Sequence, residues 1–293
     1  MVESHNKRTV VVLIIILAVI WGSSFILIKR GLDVYTPVQV GAIRIFVAFL
    51  CVFPFVFRSF NKVEPGMWKY LFATGLLGNG IPAILFPLAG TNISSAVSGM
   101  MNSATPIFTL IIGMSMFGMA GGRNRILGLL LGLVGALILV GGKSGTLEGG
   151  DPMYAGYIVI ATICYAFSVN ILRYKLPTLG SMETTGFALL FAAVPLGIYL
   201  FTTDFVERTQ ITEGAFASLS AILVLGILST ALSTVLFNRL IKISGALSAS
   251  SVTYLIPIVA IAWGYFDNEN VGFLHLGGLI AILGGVYLIN KKG

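Results

Sequence analysis

Apolar runs of about 20 residues recur along the whole chain, broken by short polar or glycine-rich stretches. Runs of that length match the thickness of a bilayer core when helical. Ten are predicted, at 9–28, 37–57, 67–89, 94–117, 125–142, 152–173, 182–202, 214–237, 245–266 and 272–290. The stretch from Gly226 to Phe266 is the most informative. It reads as two spans joined by a tight basic turn, each with a small polar or aromatic stripe. Ser229 and Ser233 lie four residues apart with Phe237 four further on, and Ser250 and Tyr254 lie one turn apart before Pro257. Positions i and i+4 share a helix face, and a polar stripe in a bilayer turns to the bundle interior or a wet cavity.

The pattern repeats. An offset of 151 places Gly75, Leu77, Leu85 and Phe86 on Gly226, Leu228, Leu236 and Phe237, and Pro106, Ile107 and Gly113 on Pro257, Ile258 and Gly264. An offset of 150 aligns Ile93, Ser94, Ala96 and Ser98 with Ile243, Ser244, Ala246 and Ser248, and one of 144 places Trp21, Ser24, Ile28 and Lys29 on Tyr165, Ser168, Leu172 and Arg173. The chain therefore reads as two similar halves, 1–145 and 146–293, of five spans each. Five is odd, so the second half enters the membrane from the opposite side. The predicted fold class is an all-α integral membrane protein, ten transmembrane helices in two inverted five-helix repeats, with a substrate site near the midplane between them.

Composition agrees. Of 293 residues, 57% are hydrophobic and 10% charged, against about a quarter charged in soluble domains. The net charge of +7 is not a nucleic-acid footprint, because the basic residues sit in short loops. Thirteen Lys and Arg fall on the side of the termini and four (Lys29, Arg30, Lys143, Arg208) on the other, with Arg44 inside a span. That bias predicts a multi-pass membrane protein with both termini cytoplasmic. The N-terminal run continues through Trp21 to Ile28 without a small-residue cleavage site and is read as the first span. Cys51 and Cys164 sit in apolar spans and imply no disulfide framework.

Several pieces together resemble the drug/metabolite transporter superfamily in its ten-span EamA branch. Trp21, Gly22, Ser23, Ser24 and Phe25 match the branch's WGS-F signature, Pro37 and Arg44 its Pro-then-Arg pattern, and residues 227–264 its third and fourth spans of the second repeat. The resemblance covers nearly the whole chain and implies export or exchange of small metabolites, often amino acids, through a cavity between the repeats. Members often carry a Glu near the end of the fourth span of each repeat. Glu269 lies near that place, the first half has Gly118 instead, and no transport role is assigned to the position.

The candidate substrate-binding residues are Trp21, Ser24, Arg44, Asn79, Met100, Asn102, Tyr165, Ser229, Ser233 and Tyr254. Arg44 is the one charge deep in a span. It either anchors a substrate carboxylate bidentately or binds backbone carbonyls as a structural residue, and the absence of a partner in the sequence favours the structural reading. Asn79, Asn102 and Asn170 can bridge helices or bind a polar solute. Trp21, Tyr165, Tyr254 and Trp263 suit an apolar wall, Met100 and Met101 an adaptable pocket or plain packing, and Pro82, Pro106 and Pro257 hinges. His275 is read as interfacial. No Asp or Glu lies within the middle of a span, which counts against proton-driven export of cations. Neither a phosphate loop nor a metal cluster is legible, so an enzyme is not expected and no cofactor is called. The expectation is a secondary transporter for small metabolites, amino acids foremost, with hydrophobic drug efflux and a non-transporting assembly protein as alternatives. Its partners are a small-molecule substrate and the lipid bilayer, without nucleic acid and with a monomer sufficient.

Overall fold

A computed structural model describes residues 7–141 and 152–290. The loop cations and acids at 143–151, the division at 145/146 and Lys291 and Lys292 lie outside the described residues. The described chain forms ten helical units. They are α1 (Lys7–Gly22, continuing as Ser24–Leu32), α2 (Pro37–Phe57), α3 (Trp68–Gly75, Leu76–Gly80, Ile81–Gly90), α4 (Ser95–Asn102, Thr105–Met116) and α5 (Arg123–Gly141). The second five are α6 (Pro152–Lys175), α7 (Ser181–Phe201), α8 (Ala215–Gly226, Ile227–Leu232, Ser233–Ser244), α9 (Ala246–Ser250, Ser251–Tyr254, Ile256–Phe266) and α10 (Phe273–Asn290). Seven are long and apolar enough to cross a bilayer by length and composition alone, while α9 and α10 carry shorter apolar stretches, Val252–Phe266 and Phe273–Ile289.

Two predictions need correction. α8 runs to Ser244 rather than Phe237, so Arg239 and Lys242 occupy its last turns instead of a basic turn. Cations suit that end because they face the negative pole of the helix dipole, and Gly245 at φ 86° makes the actual turn. His275 is fully buried rather than interfacial. The outer loop after α7 also contains a short helix, Phe205–Ile211.

The two halves match in fine detail. The central part of α3, Leu76–Gly80, is a wide π-type turn, and so is Ile227–Leu232 of α8. The starts are 151 residues apart. Packing follows the same exchange. α2 lies on α7 and α5 on α10, each helix against its own counterpart, while α3 lies on α6 and α8 on α1. Likewise α4 meets α6 as α9 meets α1. Swapping first-half helices for second-half helices leaves this set of contacts unchanged, as inverted repeats require.

Close approach rests on glycine. A Cβ on Gly128 would lie 2.3 Å from the Gly285 carbonyl oxygen, and one on Gly285 would lie 2.4 Å from that of Gly128. In lipid there is little hydrophobic drive between helices, so such backbone contact carries the association. The outer faces are apolar, with Leu137, Ile280 and Tyr287 well exposed, the surface expected against acyl chains. We expect Gly128→Leu to separate α5 from α10 and to lower the melting temperature in detergent, at a cost of about 3 kcal/mol or more. A Leu substitution at the open Gly277 should leave melting unchanged in the same assay.

Candidate functional site: a cavity between the two halves

Between the halves lies a cavity of about 110 Å³, room for roughly seven to ten waters. α1, α2, α3, α4, α6, α7, α8 and α9 all contribute to its wall. Its lining on α8 begins at Ser229 and extends to Asn238, so the cavity reaches past the bundle centre toward the end that carries the termini.

Arg44 enters the wall from α2 and is buried. Its Nε donates to Thr230 Oγ1 at 2.7 Å, and the Tyr165 phenol lies beside the same guanidinium. The partners missing from the local sequence are thus supplied by the other half. Thr230 in turn donates to the Leu225 carbonyl at 3.1 Å, five residues back. The bond lies at the start of the π turn, where the backbone ladder changes register. Asn79 makes the matching bond in the first half, its Nδ2 donating to the Thr74 carbonyl at 3.4 Å.

Trp21 donates its indole N–H to the Ser229 carbonyl at 3.1 Å and to Ser233 Oγ at 2.8 Å. Its ring meets Phe237 edge-on at 4.9 Å. The counterpart pair, Tyr165 and Phe86, stacks at 5.9 Å. Two aromatic pairs therefore form apolar walls, each joining one half to the other.

Seven of the ten candidate residues line this cavity: Trp21, Ser24, Arg44, Asn79, Asn102, Tyr165 and Ser229. Three do not. Met100 is fully buried in the main core. Ser233 is fully buried, its hydroxyl donating to Ser229 O at 2.6 Å and accepting from Trp21. Tyr254 turns to α10, its hydroxyl donating to the Val286 carbonyl at 3.3 Å. Asn170 is absent from the lining and bridges helices, donating to Thr109 O at 3.0 Å and Ala166 O at 2.9 Å. Trp263 donates to Ser23 Oγ at 2.8 Å and is also outside the lining. Sequence reasoning missed Thr230, Thr234 and Asn238, which follow one another at helical spacing on α8. It also missed Thr74, Thr105 and Thr253.

At the end opposite the termini the two halves are joined by charge. Lys29 Nζ bonds Asp267 at 2.5 Å and Glu269 at 2.9 Å, and Arg30 pairs with Asp267. Glu269 also accepts from Ser95 N at 3.1 Å, Ser95 Oγ at 3.0 Å and Ala96 N at 2.9 Å. An acid from the second half thereby caps the first turn of α4, where a helix dipole favours negative charge. Glu269 has this structural role, and its side chain is 3% exposed.

A family model described as the EamA-like transporter family matches residues 8–141 and again 153–291. This chain belongs to the EamA-like transporter family. Among similar EamA-like relatives is the uncharacterized inner membrane transporter YedA of Escherichia coli K12, 29% identical over 258 residues, with 85% of this chain and 79% of that one covered. A protein of Salmonella typhimurium called a probable amino-acid metabolite efflux pump is 23% identical over 291 residues, covering 94% of this chain and 93% of its own. A solved crystal structure superposes with a TM-score of 0.66 at 13% identity, covering 97% of both chains, and shows the same fold. The protein is therefore a membrane transporter with a small-molecule substrate.

Two outcomes are expected. In a Cys51→Ser/Cys164→Ala background, Thr234→Cys should react with a water-soluble maleimide and Ser233→Cys should not, read by gel shift. The second concerns the charged end. Burial pushes the Asp267 carboxyl up, but bonds to Lys29 and Arg30 outweigh it and hold it below the ordinary aspartate value. Its stabilisation is therefore complete above the unfolded value and is lost as pH falls through the depressed one. Melting curves against pH should lose part of their acid limb in Asp267→Asn.

Proposed function

We propose that this EamA-like transporter exports or exchanges small zwitterionic metabolites, amino acids foremost, by alternating access of its two halves around the cavity. The observation that carries this reading is one guanidinium held in a cavity wall that contains no carboxylate. Thr230 takes Nε and the Tyr165 hydroxyl engages the guanidinium too, and its five donors in a planar fork still leave N–H groups for a carboxylate. The hydroxyls and amides of the wall suit the polar end of such a solute, and the Trp21–Phe237 and Tyr165–Phe86 pairs suit its apolar body. A bare cation finds no counter-charge there. The name of the Salmonella relative agrees with an amino-acid substrate.

The halves in this reading are residues 1–145 and 146–293, and the thirteen-to-four bias of basic residues sets both termini in the cytoplasm. The cavity then extends from the midplane toward the cytoplasm, and the Lys29, Asp267 and Glu269 cluster closes the outer face. One chain encloses the cavity, so a monomer suffices.

Counterflow in proteoliposomes tests the reading. Vesicles loaded with one unlabelled amino acid at a time should accumulate a labelled one for a subset of the set. Arg44→Lys should raise KM about tenfold or more, since a point charge replaces a fork, with an unchanged melting temperature. Failure of every amino acid, beside thermal stabilisation by an apolar drug, would replace this reading with drug efflux.

A further inference from the structure

The cavity is close to two-fold in its backbone and unequal in its chemistry. A Cβ on Gly226 would lie 2.9 Å from the Arg44 carbonyl oxygen, and one on Gly75 would lie 2.4 Å from that of Ala188. Gly75 and Gly226 are 151 apart, and Arg44 and Ala188 are 144 apart, the offsets that relate the halves. Arg44 and Ala188 are therefore counterparts, and both line the cavity. So are Thr230 and Asn79, each placed at a π turn and each bonded to the carbonyl five residues back. On one side a guanidinium fills the space beside Thr230. On the other, a methyl group leaves that space open beside Asn79.

The cavity wall carries a set of acceptors with unspent capacity. One hydrogen of Asn79 Nδ2 goes to Thr74 O, and Oδ1 accepts from no described residue. Ser168 lines the same part of the wall. Its Oγ would sit 2.3 Å from a Cβ on Gly78, so only glycine lets the hydroxyl lie against α3 next to Asn79. Among the described residues that hydroxyl makes no hydrogen bond. Asn102 Oδ1 lies 3.4 Å from Thr105 Oγ1, whose hydrogen is directed at Asn102 O at 2.7 Å, so the amide oxygen also keeps its capacity. Asn79, Ser168 and Asn102 are 8%, 5% and 7% exposed. Acceptors that line a cavity large enough for water are open to a ligand that donates.

We propose that Asn79, with Ser168 and Asn102, forms a binding site for an ammonium group, the second pole of a zwitterion whose carboxylate meets Arg44. This rests on the zwitterion reading above and adds the residues that recognise the amine. Neutral acceptors bind an ammonium by hydrogen bonds without the charge of a carboxylate, which suits a solute that must leave again.

The test compares, in counterflow, the amino acid that gives the strongest signal with its des-amino carboxylate. Wild type should favour the amino acid about tenfold or more in KM, the worth of hydrogen bonds to a charged group. Asn79→Leu should bring the two within about twofold, whereas Arg44→Lys should raise both and keep the preference. Melting temperature reports folding, and Asn102→Ala serves as the second variant if Asn79→Leu does not fold, with the same narrowing expected. Undiminished preference in a folded variant would overturn the ammonium site. So would equal wild-type transport of both compounds, which leaves carboxylate recognition standing. Uptake of neither compound would remove the zwitterion reading itself, and this site with it.

Discussion

A polypeptide in hydrocarbon has no water to satisfy its backbone, and the two π turns of this bundle run against that constraint. At the start of each, a polar side chain bonds the carbonyl five residues back, Asn79 to Thr74 O and Thr230 to Leu225 O. The wide turns also bring those side chains to the cavity wall. Irregular backbone at membrane depth is tolerated where it is enclosed in protein or borders water, and here the irregularity and the polar cavity occupy one place. Thr230 then serves twice, closing the Leu225 carbonyl and accepting from Arg44, so the guanidinium's position depends on the helix defect across from it.

The crossing of the halves gives this local chemistry its mechanical setting. α1 of the first half lies on α8 of the second, and α6 of the second on α3 of the first. The aromatic pairs Trp21–Phe237 and Tyr165–Phe86 sit at these crossings. The interrupted units α4 and α9 meet them, with Pro106 and Pro257 just past their breaks. Motion of one half against the other therefore acts on the cavity walls directly. The ion pairs at the far end bind α1, α4 and the segment after α9 together, joining both halves there.

Much of this was legible before any coordinates. Span length and glycine and proline spacing located the ten units, and offsets near 150 exposed the duplication. The exact end of α8 was hidden, because basic residues near an apolar boundary suit either a turn or the last turns of a helix. The cavity wall was legible in part. A stripe such as Ser229, Ser233 and Phe237 marks a face, and a helix face in a tight bundle is shared between a cavity and a neighbouring helix. Ser233 falls to the neighbour, through Trp21, and Thr230 and Asn238 fall to the cavity. Met100 and Tyr254 went the same way as Ser233, into packing and a bond to α10. The partners of Arg44 lay 121 and 186 residues away, beyond any local pattern.

The pairing of Arg44 with Ala188 has a consequence for how such a fold can diversify. An assembly of two identical five-helix chains would carry the same residue at both places, either two arginines or none. It could greet a solute only with like poles, and a molecule with a head and a tail would have no preferred way round. Joining the halves in one chain frees each copy to drift alone. In the zwitterion reading proposed above, a single codon at position 44 or 188 would then decide whether cargo enters oriented.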